Sequence, residues 1–145
     1  AQRIRDNINA LEGTNVPAGN VDITLYRDDW TRKSTHPIVQ TTEILFDLDD
    51  KQIILTDDVL YTGRTTRAAM DAIIDFGRPK RIRVAALVDR GGRELPILAN
   101  FVGIQRKARP GETINVYLKE REGVDRAVVE KTDPRSNPRV KSQTT

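Results

Sequence analysis

The sequence of 145 residues, of which 37% are hydrophobic, is long enough for one domain with a single core. It contains no cysteine, which excludes disulfides and thiolate metal sites and suits the reducing cytoplasm, where we expect the protein. The formal net charge of +3 is compatible with nucleic-acid binding but does not argue for it. No apolar run approaches the ~20 residues of a membrane span, and no signal peptide is recognisable.

The first predicted elements are a helix and two short strands around a polar loop. The apolar residues of Arg3–Glu12 recur at helical spacing. Val21–Tyr26 alternates between apolar and polar residues, which predicts a half-exposed strand, and Glu43–Asp47 could be a short returning strand. The segment between them, Arg27–Thr42, is polar and predicts an exposed loop.

The remaining elements alternate between strands and a helix, as in α/β proteins. Lys51–Thr56 predicts a buried central strand, and Thr66–Phe76 predicts an amphipathic helix. Four later strands are predicted at Arg81–Val88, Phe101–Ile104, Thr113–Leu118 and Ala127–Glu130. Ser136–Thr145 has almost no apolar residue, which predicts disorder. We therefore assign residues 1–131 to one domain and residues 132–145 to a tail.

The end of the predicted central strand has the character of a sugar-phosphate site. Asp57 and Asp58 follow the strand, a loop with Thr62, Gly63 and Thr65 comes next, and then the helix begins. Unpaired N–H groups at a helix N-terminus bind phosphate, and a glycine lets the backbone approach the anion closely. The two carboxylates would repel a phosphate, because both groups are negatively charged. They suit the vicinal hydroxyls of a ribose, from which a carboxylate accepts hydrogen bonds. A strand followed by an Asp-rich helix cap is the alternative interpretation.

Three segments carry more specific information than this pattern. They read D-D-V-L-Y-T-G-R-T at residues 57–65, V-D-I-T-L-Y-R-D-D at Val21–Asp29 and L-V-D-R-G-G-R-E-L-P-I at Leu87–Ile97. The first resembles the motif with which type I phosphoribosyltransferases bind phosphoribosyl pyrophosphate (PRPP). Together the three resemble the PyrR-type family, whose members are pyrimidine operon attenuation regulators and also uracil phosphoribosyltransferases. The resemblance extends from about Ile4 to Lys131.

The resemblance implies a fold and a reaction. The fold is α/β, with a mostly parallel central sheet flanked by helices, a small hood and a flexible lid loop. The reaction joins uracil to PRPP, giving UMP and pyrophosphate, with Mg²⁺ held mainly by substrate oxygens and water. Asp57, Asp58 and Arg27 would be catalytic, the two acids at the ribose and the arginine at the departing pyrophosphate. The residues that bind PRPP and UMP would be Asp57, Asp58, Val59, Leu60, Tyr61, Thr62, Gly63, Arg64 and Thr65.

The polar loop Arg27–Thr42 would be the lid of such an enzyme. Closure would exclude water from an oxocarbenium-like transition state. Arg32 would join Arg27 at the pyrophosphate, whereas His36, the single histidine of the chain, is interpreted as a surface residue rather than a general base. An exposed, solvated loop is the alternative.

The hood of such an enzyme would hold uracil, largely through backbone groups. The segments that resemble it are Asp89–Pro96 and Phe101–Gly103. Within them we assign Arg90 and Val102 to the uracil site. An ordinary turn is the alternative for the first segment.

The family also implies binding of the leader of pyrimidine operon mRNA, with UMP or UTP as co-effector, by a homo-oligomer. Basic residues that could form one face of a dimer are Arg3, Arg5, Arg78, Lys80, Arg81, Arg83, Arg106, Lys107 and Arg109. The chain departs from the family at Gly92, where members often carry His. It also opens at Ala1 on what resembles the helix after the first core strand, so we expect it to lack the family's upstream helix, strand and Thr-Arg-Gly loop.

Other classes of protein fit less well. A receiver domain would need its paired acids after the first strand, and the T-G-R-T that follows Asp58 has no role there. A Walker-type nucleotidase would need G-x-x-x-x-G-K-[ST], which the sequence lacks. A phosphoribosyltransferase for purines fits less well because the hood segment resembles the uracil family. The main alternative is a nucleotide-sensing, RNA-binding regulator with little or no turnover.

Overall fold

The computed structural model describes residues 1–28 and 41–131. In chain order the helices and strands are α1 (Gln2–Glu12), β1 (Gln52–Leu60), α2 (Arg64–Asp75), β2 (Arg81–Asp89), β3 (Phe101–Gln105), β4 (Glu112–Tyr117), α3 (Lys119–Glu122) and β5 (Arg126–Lys131). A short 3-10 turn, Thr24–Tyr26, precedes β1. None of the helices in the described ranges is long and apolar enough to cross a membrane.

A parallel sheet with the strand order β1–β2–β3 organises the described residues. β1 is in register with β2 from Gln52 opposite Arg81 to Leu60 opposite Asp89, and β3 pairs with the second half of β2. The carboxyl ends of the three strands therefore lie at one edge of the sheet, and the loops that follow them meet there. Open α/β sheets bind their ligands at this edge.

The core lies between this sheet and α2. Val84, Ala86 and Val88 of β2 are buried at alternate positions, which point to one face of the sheet. α2 packs against β1 and buries a strip of small and apolar side chains at helical spacing, Ala68, Ala69, Ala72 and Ile73. Burial of each valine contributes about 1.5–3 kcal/mol relative to its exposure. This packing fixes the N-terminus of α2 at the ligand-binding edge of the sheet.

A two-stranded antiparallel sheet, β4–β5, forms the second layer of strands. Its register runs from Glu112 opposite Lys131 to Tyr117 opposite Arg126. Ile114 of β4 is buried, and β4 contacts β1. The connection from β3 to β4 is therefore held beside the carboxyl ends of the parallel strands.

The α/β class and most of the predicted elements are confirmed, but the two strands predicted before β1 are wrong. The Asp22 carboxylate accepts hydrogen bonds from the Thr24 N–H at 2.9 Å and the Thr24 hydroxyl at 2.6 Å, and this local turn replaces the strand with the 3-10 turn. An isolated bridge joins Asn20 to Glu43, so the returning strand Glu43–Asp47 does not form either.

The predicted position of the acids relative to the strand is also corrected. β1 continues to Leu60 because β2 is long enough to pair with it, Val59 lying opposite Val88. Asp57 and Asp58 are therefore within the strand and not after it. Among the described residues β1 lies at the edge of its sheet, and β2 is the central strand.

Two predicted segments lie outside the described residues. Residues 29–40 include most of the predicted lid, with Arg32 and His36. Residues 132–145 are the predicted tail.

Candidate functional site

The connection between β1 and α2 is a tight loop built around Gly63. This residue is the N-cap of α2 and has a φ of +90°, a left-handed conformation that favours glycine. A Cβ at this position would lie 3.3 Å from the Cβ of Ile97 and 3.4 Å from that of Leu95. Because glycine has no side chain to cap α2, N–H groups of its first turn are left to bind an anion. The loop that the sequence predicts to bind phosphate thus lies at the ligand-binding edge.

Asp57 and Asp58 differ in their surroundings although they are adjacent. Asp58 is exposed and Asp57 is half-buried. Burial raises the pKa of Asp57 to about 6, and the negative charge of Asp58 and a hydrogen bond with it act in the same direction. Each carboxylate accepts a hydrogen bond from the next backbone N–H, Asp57 from Asp58 at 2.9 Å and Asp58 from Val59 at 2.7 Å. The pair therefore holds one exposed acid, Asp58, and one, Asp57, whose charged form is disfavoured by burial.

Arg93 connects the loop after β2 to the phosphate loop, which is the connection between β1 and α2 at residues 61–63. Its Nε donates to the carbonyl oxygen of Ile97 at 2.8 Å and its Nη1 to that of Tyr61 at 2.8 Å, while its Nη2 donates to Oδ2 of Asp89 at 2.7 Å. Asp89 also accepts the N–H of Gly91 at 2.9 Å. Burial alone would raise the pKa of Asp89, but the hydrogen bonds from Arg93 and Gly91 outweigh it and lower the pKa. This planar, multidentate contact fixes the two loops relative to each other.

Backbone and charged contacts complete the connection between these loops. The carbonyl oxygen of Thr62 accepts the N–H groups of Glu94 and Leu95, at 2.9 Å and 3.0 Å. Arg64 donates to Asp28 at 2.5 Å and to Glu94 at 2.6 Å, and the hydrogen bond from Arg64 lowers the pKa of Asp28. The Arg64 guanidinium at the start of α2 is therefore shared between two acids, one of which, Asp28, belongs to the predicted lid segment.

A pocket of about 470 Å³ opens beside the phosphate loop. Its walls are Tyr61, Arg90, Gly92 and residues 108–113. The Arg90 guanidinium lies over the Tyr61 ring, 3.8 Å from its centroid, and donates to the carbonyl oxygen of Glu112 at 3.2 Å. Aromatic, guanidinium and backbone groups around such a volume suit a planar polar ring.

The structure brings together most of the residues that the sequence assigns to the site. The nine residues from Asp57 to Thr65 form the end of β1, the phosphate loop and the start of α2, and Arg90 lies against them. Arg27 follows the 3-10 turn, which is tied to α2 by the hydrogen bond from Arg67 to the Tyr26 carbonyl oxygen at 2.9 Å. Val102 lies in β3 opposite Ala86 and does not line the pocket.

Two features of the site were not predicted from the sequence. The role of Arg93 could have been suspected from its spacing of four residues from Asp89 across two glycines. Residues 108–113 supply a wall of the pocket and carry no motif that marks them.

The basic residues predicted to share a face are separated within one chain. Arg81 and Arg83 lie at the start of β2, and Arg106, Lys107 and Arg109 follow β3 at the ligand-binding edge.

Comparison with known proteins identifies the relatives of this chain. The phosphoribosyl transferase domain family matches residues 1–121. The bifunctional protein PyrR of Syntrophobacter fumaroxidans is 58% identical over 130 residues, which are 90% of this chain and 70% of that protein. The bifunctional protein PyrR of Deinococcus radiodurans is 52% identical over 134 residues, which are 92% of this chain and 72% of that protein.

Comparison with solved structures supports the fold. The hypoxanthine phosphoribosyltransferase of Trypanosoma cruzi superposes with a TM-score of 0.50 at 16% sequence identity. The match covers 69% of this chain but 57% of that enzyme, and at this identity it concerns the fold alone.

Proposed function

Because this chain belongs to the phosphoribosyl transferase domain family and, within it, to the bifunctional PyrR proteins, we propose that it transfers the phosphoribosyl group of PRPP to uracil, giving UMP and pyrophosphate. The family resemblance inferred from the sequence motifs is confirmed by the 58% identity to one such protein. The observation that carries the proposal is that a glycine-capped helix N-terminus, a half-buried carboxylate and a pocket for a planar ring meet at one edge of the sheet.

The N-terminus of α2 would bind the 5′-phosphate of PRPP. Backbone N–H groups and the helix dipole favour an anion at this position, and Gly63 lets it approach closely. Thr62 and Thr65 could add hydroxyl donors, although the Thr62 hydroxyl accepts the Arg64 N–H at 3.3 Å in the structure. Phosphate binding would therefore depend on the loop backbone more than on any one side chain.

Asp57 and Asp58 would bind the ribose. A carboxylate accepts hydrogen bonds from vicinal hydroxyls, and its charge would stabilise the positive charge that develops at C1. With its pKa raised to about 6, Asp57 is largely ionised at pH 7.5. Neither acid would attack C1, so catalysis would rest on positioning and electrostatics.

The reaction would use Mg²⁺ that is bound with PRPP. In the described ranges no three His, Asp or Glu side chains form a group that could hold a metal ion. We infer that the cation is held mainly by substrate oxygens and water, as is usual for Mg²⁺, with Asp57 or Asp58 near the ribose. When bound, Mg²⁺ would neutralise part of the negative charge of the pyrophosphate.

The pocket beside Tyr61 and Arg90 would hold uracil. N1 of uracil forms the bond to C1 and releases its proton to solvent, while the C1–O bond breaks and its electron pair stays on pyrophosphate. Arg27 would face the pyrophosphate as its charge grows. The sequence also assigns Val102 to the uracil site. This residue lies in β3, and we propose that it supports this side of the site. The reaction would take place in the cytoplasm.

Formation of labelled UMP from uracil, PRPP and Mg²⁺ tests the proposal. We expect turnover, and we expect the double variant Asp57→Asn and Asp58→Asn to lose roughly 100-fold or more in kcat/KM while its circular dichroism is unchanged. Asp6→Asn, which changes an exposed acid of α1, is the matched control.

The acceptor distinguishes the alternatives in the same assay. Turnover of hypoxanthine without turnover of uracil would overturn the assignment of the base. Binding of UMP without turnover of either base would favour the nucleotide-sensing regulator with little or no activity.

We propose regulation of pyrimidine genes by attenuation, through binding of the pyr mRNA leader, as the second function. Its support is the membership of the bifunctional PyrR proteins and the exposed cluster of Arg106, Lys107 and Arg109 after β3. We expect UMP or UTP to act as co-effector and the protein to act as a homo-oligomer. Replacement of the three basic residues by Gln should weaken leader binding and flatten its dependence on salt. Equal binding of the variant and the parent across salt concentrations would contradict this surface.

A further inference from the structure

Gly92 lies against the Tyr61 ring and has no room for a side chain. A Cβ at this position would be 2.6 Å from Cε2 of Tyr61 and 3.2 Å from Cδ2, distances at which the ring must move. Gly92 also has a φ of +74°. The space that a side chain would fill on the loop after β2 is thus occupied by an aromatic ring from the phosphate loop.

The Tyr61 ring is also in contact with the guanidinium of Arg90. The Tyr61 ring lies on one side of the guanidinium, with 3.8 Å from Cζ to the ring centroid, and the Glu112 carbonyl oxygen accepts from Nη2 at 3.2 Å. Nε of Arg90 is buried and has no hydrogen-bond partner among the described residues. A guanidinium has only donors, and its plane must be fixed for those donors to meet carbonyl oxygens of a planar ligand.

We propose that Tyr61 is a positioning residue for Arg90 and that the absence of a side chain at position 92 sets the affinity of the pocket for uracil. Gly92 leaves space for the Tyr61 ring, and the ring holds the guanidinium of Arg90 in one plane. In that plane the N–H donors of Arg90 face the acceptor base. This inference rests on the proposed function, because it assigns a determinant of uracil binding in the same site. PRPP affinity depends on the backbone at the start of α2 and is not part of this arrangement.

A pair of neighbouring glycines allows the test to separate crowding from backbone strain. Gly91 has a φ of +69°, close to that of Gly92, but its Cβ would meet nothing nearer than Cγ of Lys107 at 3.7 Å. Gly91→Ala therefore measures the strain alone, and Gly92→Ala measures the strain together with displacement of Tyr61. Relative to Gly91→Ala, we expect Gly92→Ala to raise the KM for uracil about fivefold or more and to leave the KM for PRPP within about twofold.

Variants of Tyr61 complete a double-mutant cycle. Tyr61→Phe keeps the ring and Tyr61→Leu removes it, so Tyr61→Leu should raise the KM for uracil as Gly92→Ala does, and Tyr61→Phe should raise it less. In the double variant of Tyr61→Leu with Gly92→Ala the two effects should not add, because the ring has already left. Equal effects of Gly91→Ala and Gly92→Ala, or full additivity in the double variant, would overturn the proposal. Should Gly92→Ala fail to fold, the contrast between Phe and Leu at position 61 decides the matter.

A readout without substrate distinguishes failure of this inference from failure of the proposed function. In the ligand-free protein, the Nε proton of Arg90 should carry an upfield ring-current shift in its NMR resonance, which Tyr61→Leu and Gly92→Ala abolish and Gly91→Ala preserves. Absence of the shift from the parent protein would overturn the inference whatever the activity. Presence of the shift in a protein that forms no UMP would instead refute the uracil transferase and with it the stated role in uracil binding.

Discussion

The guanidinium of Arg93 donates a 2.8 Å hydrogen bond to the carbonyl oxygen of Tyr61, so a side chain from the loop after β2 holds the backbone of the phosphate loop. Its other donors engage Asp89 and Ile97. The two loops that would hold the phosphoribosyl group and the base therefore form one connected unit, although Tyr61 and Arg93 are 32 positions apart in the sequence.

Arg93→Gln should destabilise the protein and weaken PRPP binding together. The Arg93 and Asp89 side chains are each 18% exposed, and removal of one partner leaves the other charge partly buried. We expect a loss of about 2–4 kcal/mol in the free energy of unfolding, measured in urea, and a KM for PRPP raised about tenfold. Arg5→Gln removes an exposed ion pair with Asp6 and should cost less than about 1 kcal/mol. Equal losses in the two variants would contradict the role of Arg93.

Asp57 should make the protein less stable as the pH rises from about 4 to 6. Its folded pKa of about 6 lies above the ordinary value of 3.8, so in this window the folded state binds more protons than the unfolded state, and the free energy of unfolding falls with increasing pH. Asp57→Asn removes this cost and can still accept the Asp58 N–H. The variant should be more stable than the parent by on the order of 2 kcal/mol at pH 7.5, with little difference near pH 3.5.

Urea unfolding of the two proteins at both pH values measures this difference. Because every other titrating group is common to both, its contribution largely cancels. Asp6→Asn, at an exposed site where the acid pairs with Arg5, controls for the loss of a carboxylate as such. An advantage of Asp57→Asn that is the same at both pH values would show that burial does not raise the pKa of Asp57.

Gly63→Ala should disrupt the phosphate loop by more than backbone strain. A Cβ there would meet the Cβ atoms of Ile97 and Leu95 at 3.3 Å and 3.4 Å, in addition to the left-handed φ. We expect a loss of about 2–4 kcal/mol in stability and loss of PRPP binding by calorimetry. Gly123→Ala is the control, since Gly123 has a φ of +72° with nothing within 4 Å of its Cβ, and should cost about 1–2 kcal/mol. Equal costs would show that the loop can relax around the methyl group.

Asp28→Asn and Glu94→Gln should each strengthen PRPP binding at low salt. Both acids pair with Arg64, and both pairs are largely exposed, so neither replacement should change the stability of the protein appreciably. Loss of one acid leaves more of the Arg64 charge for the substrate phosphates. We expect a severalfold fall in the Kd for PRPP that diminishes at 0.5 M salt. Glu120→Gln removes the ion pair between Glu120 of α3 and Arg3 of α1, and it should leave the Kd for PRPP unchanged. Weaker binding in the first two variants would show that the acids position Arg64 for phosphate.

The sequence predicts the β1–α2–β2 unit well because its signals are local and agree. A short apolar run, a glycine-containing turn and a helix with apolar residues on one face lead to one arrangement. The alternation in Val21–Tyr26 failed because alternation does not say whether a partner strand is available, and the Asp22 side chain offered the backbone a nearer acceptor. The residues of the phosphate loop were therefore easier to predict than the secondary structure of the segment that leads to the lid.

The contacts across loops could not be predicted from the sequence. The hydrogen bonds of Arg93 and the packing of Tyr61 on Gly92 depend on the path of two loops from different strands, to within about an ångström. Residues 108–113 line the pocket only because β4 contacts β1 and brings their loop to the same edge. Spacing along the chain carries no information on such distances.

The contact between Tyr61 and Gly92 also restricts how this protein can evolve. In this chain an aromatic ring occupies the volume that a side chain at position 92 would need, so we expect substitutions at the two positions to depend on each other. A lineage that gains a side chain at position 92 must tolerate a displaced ring or replace the tyrosine first, and a lineage that loses the ring leaves a gap that a side chain at 92 can fill. The order of substitutions at these two sites is thereby constrained, and ancestral reconstructions should find them exchanging in pairs.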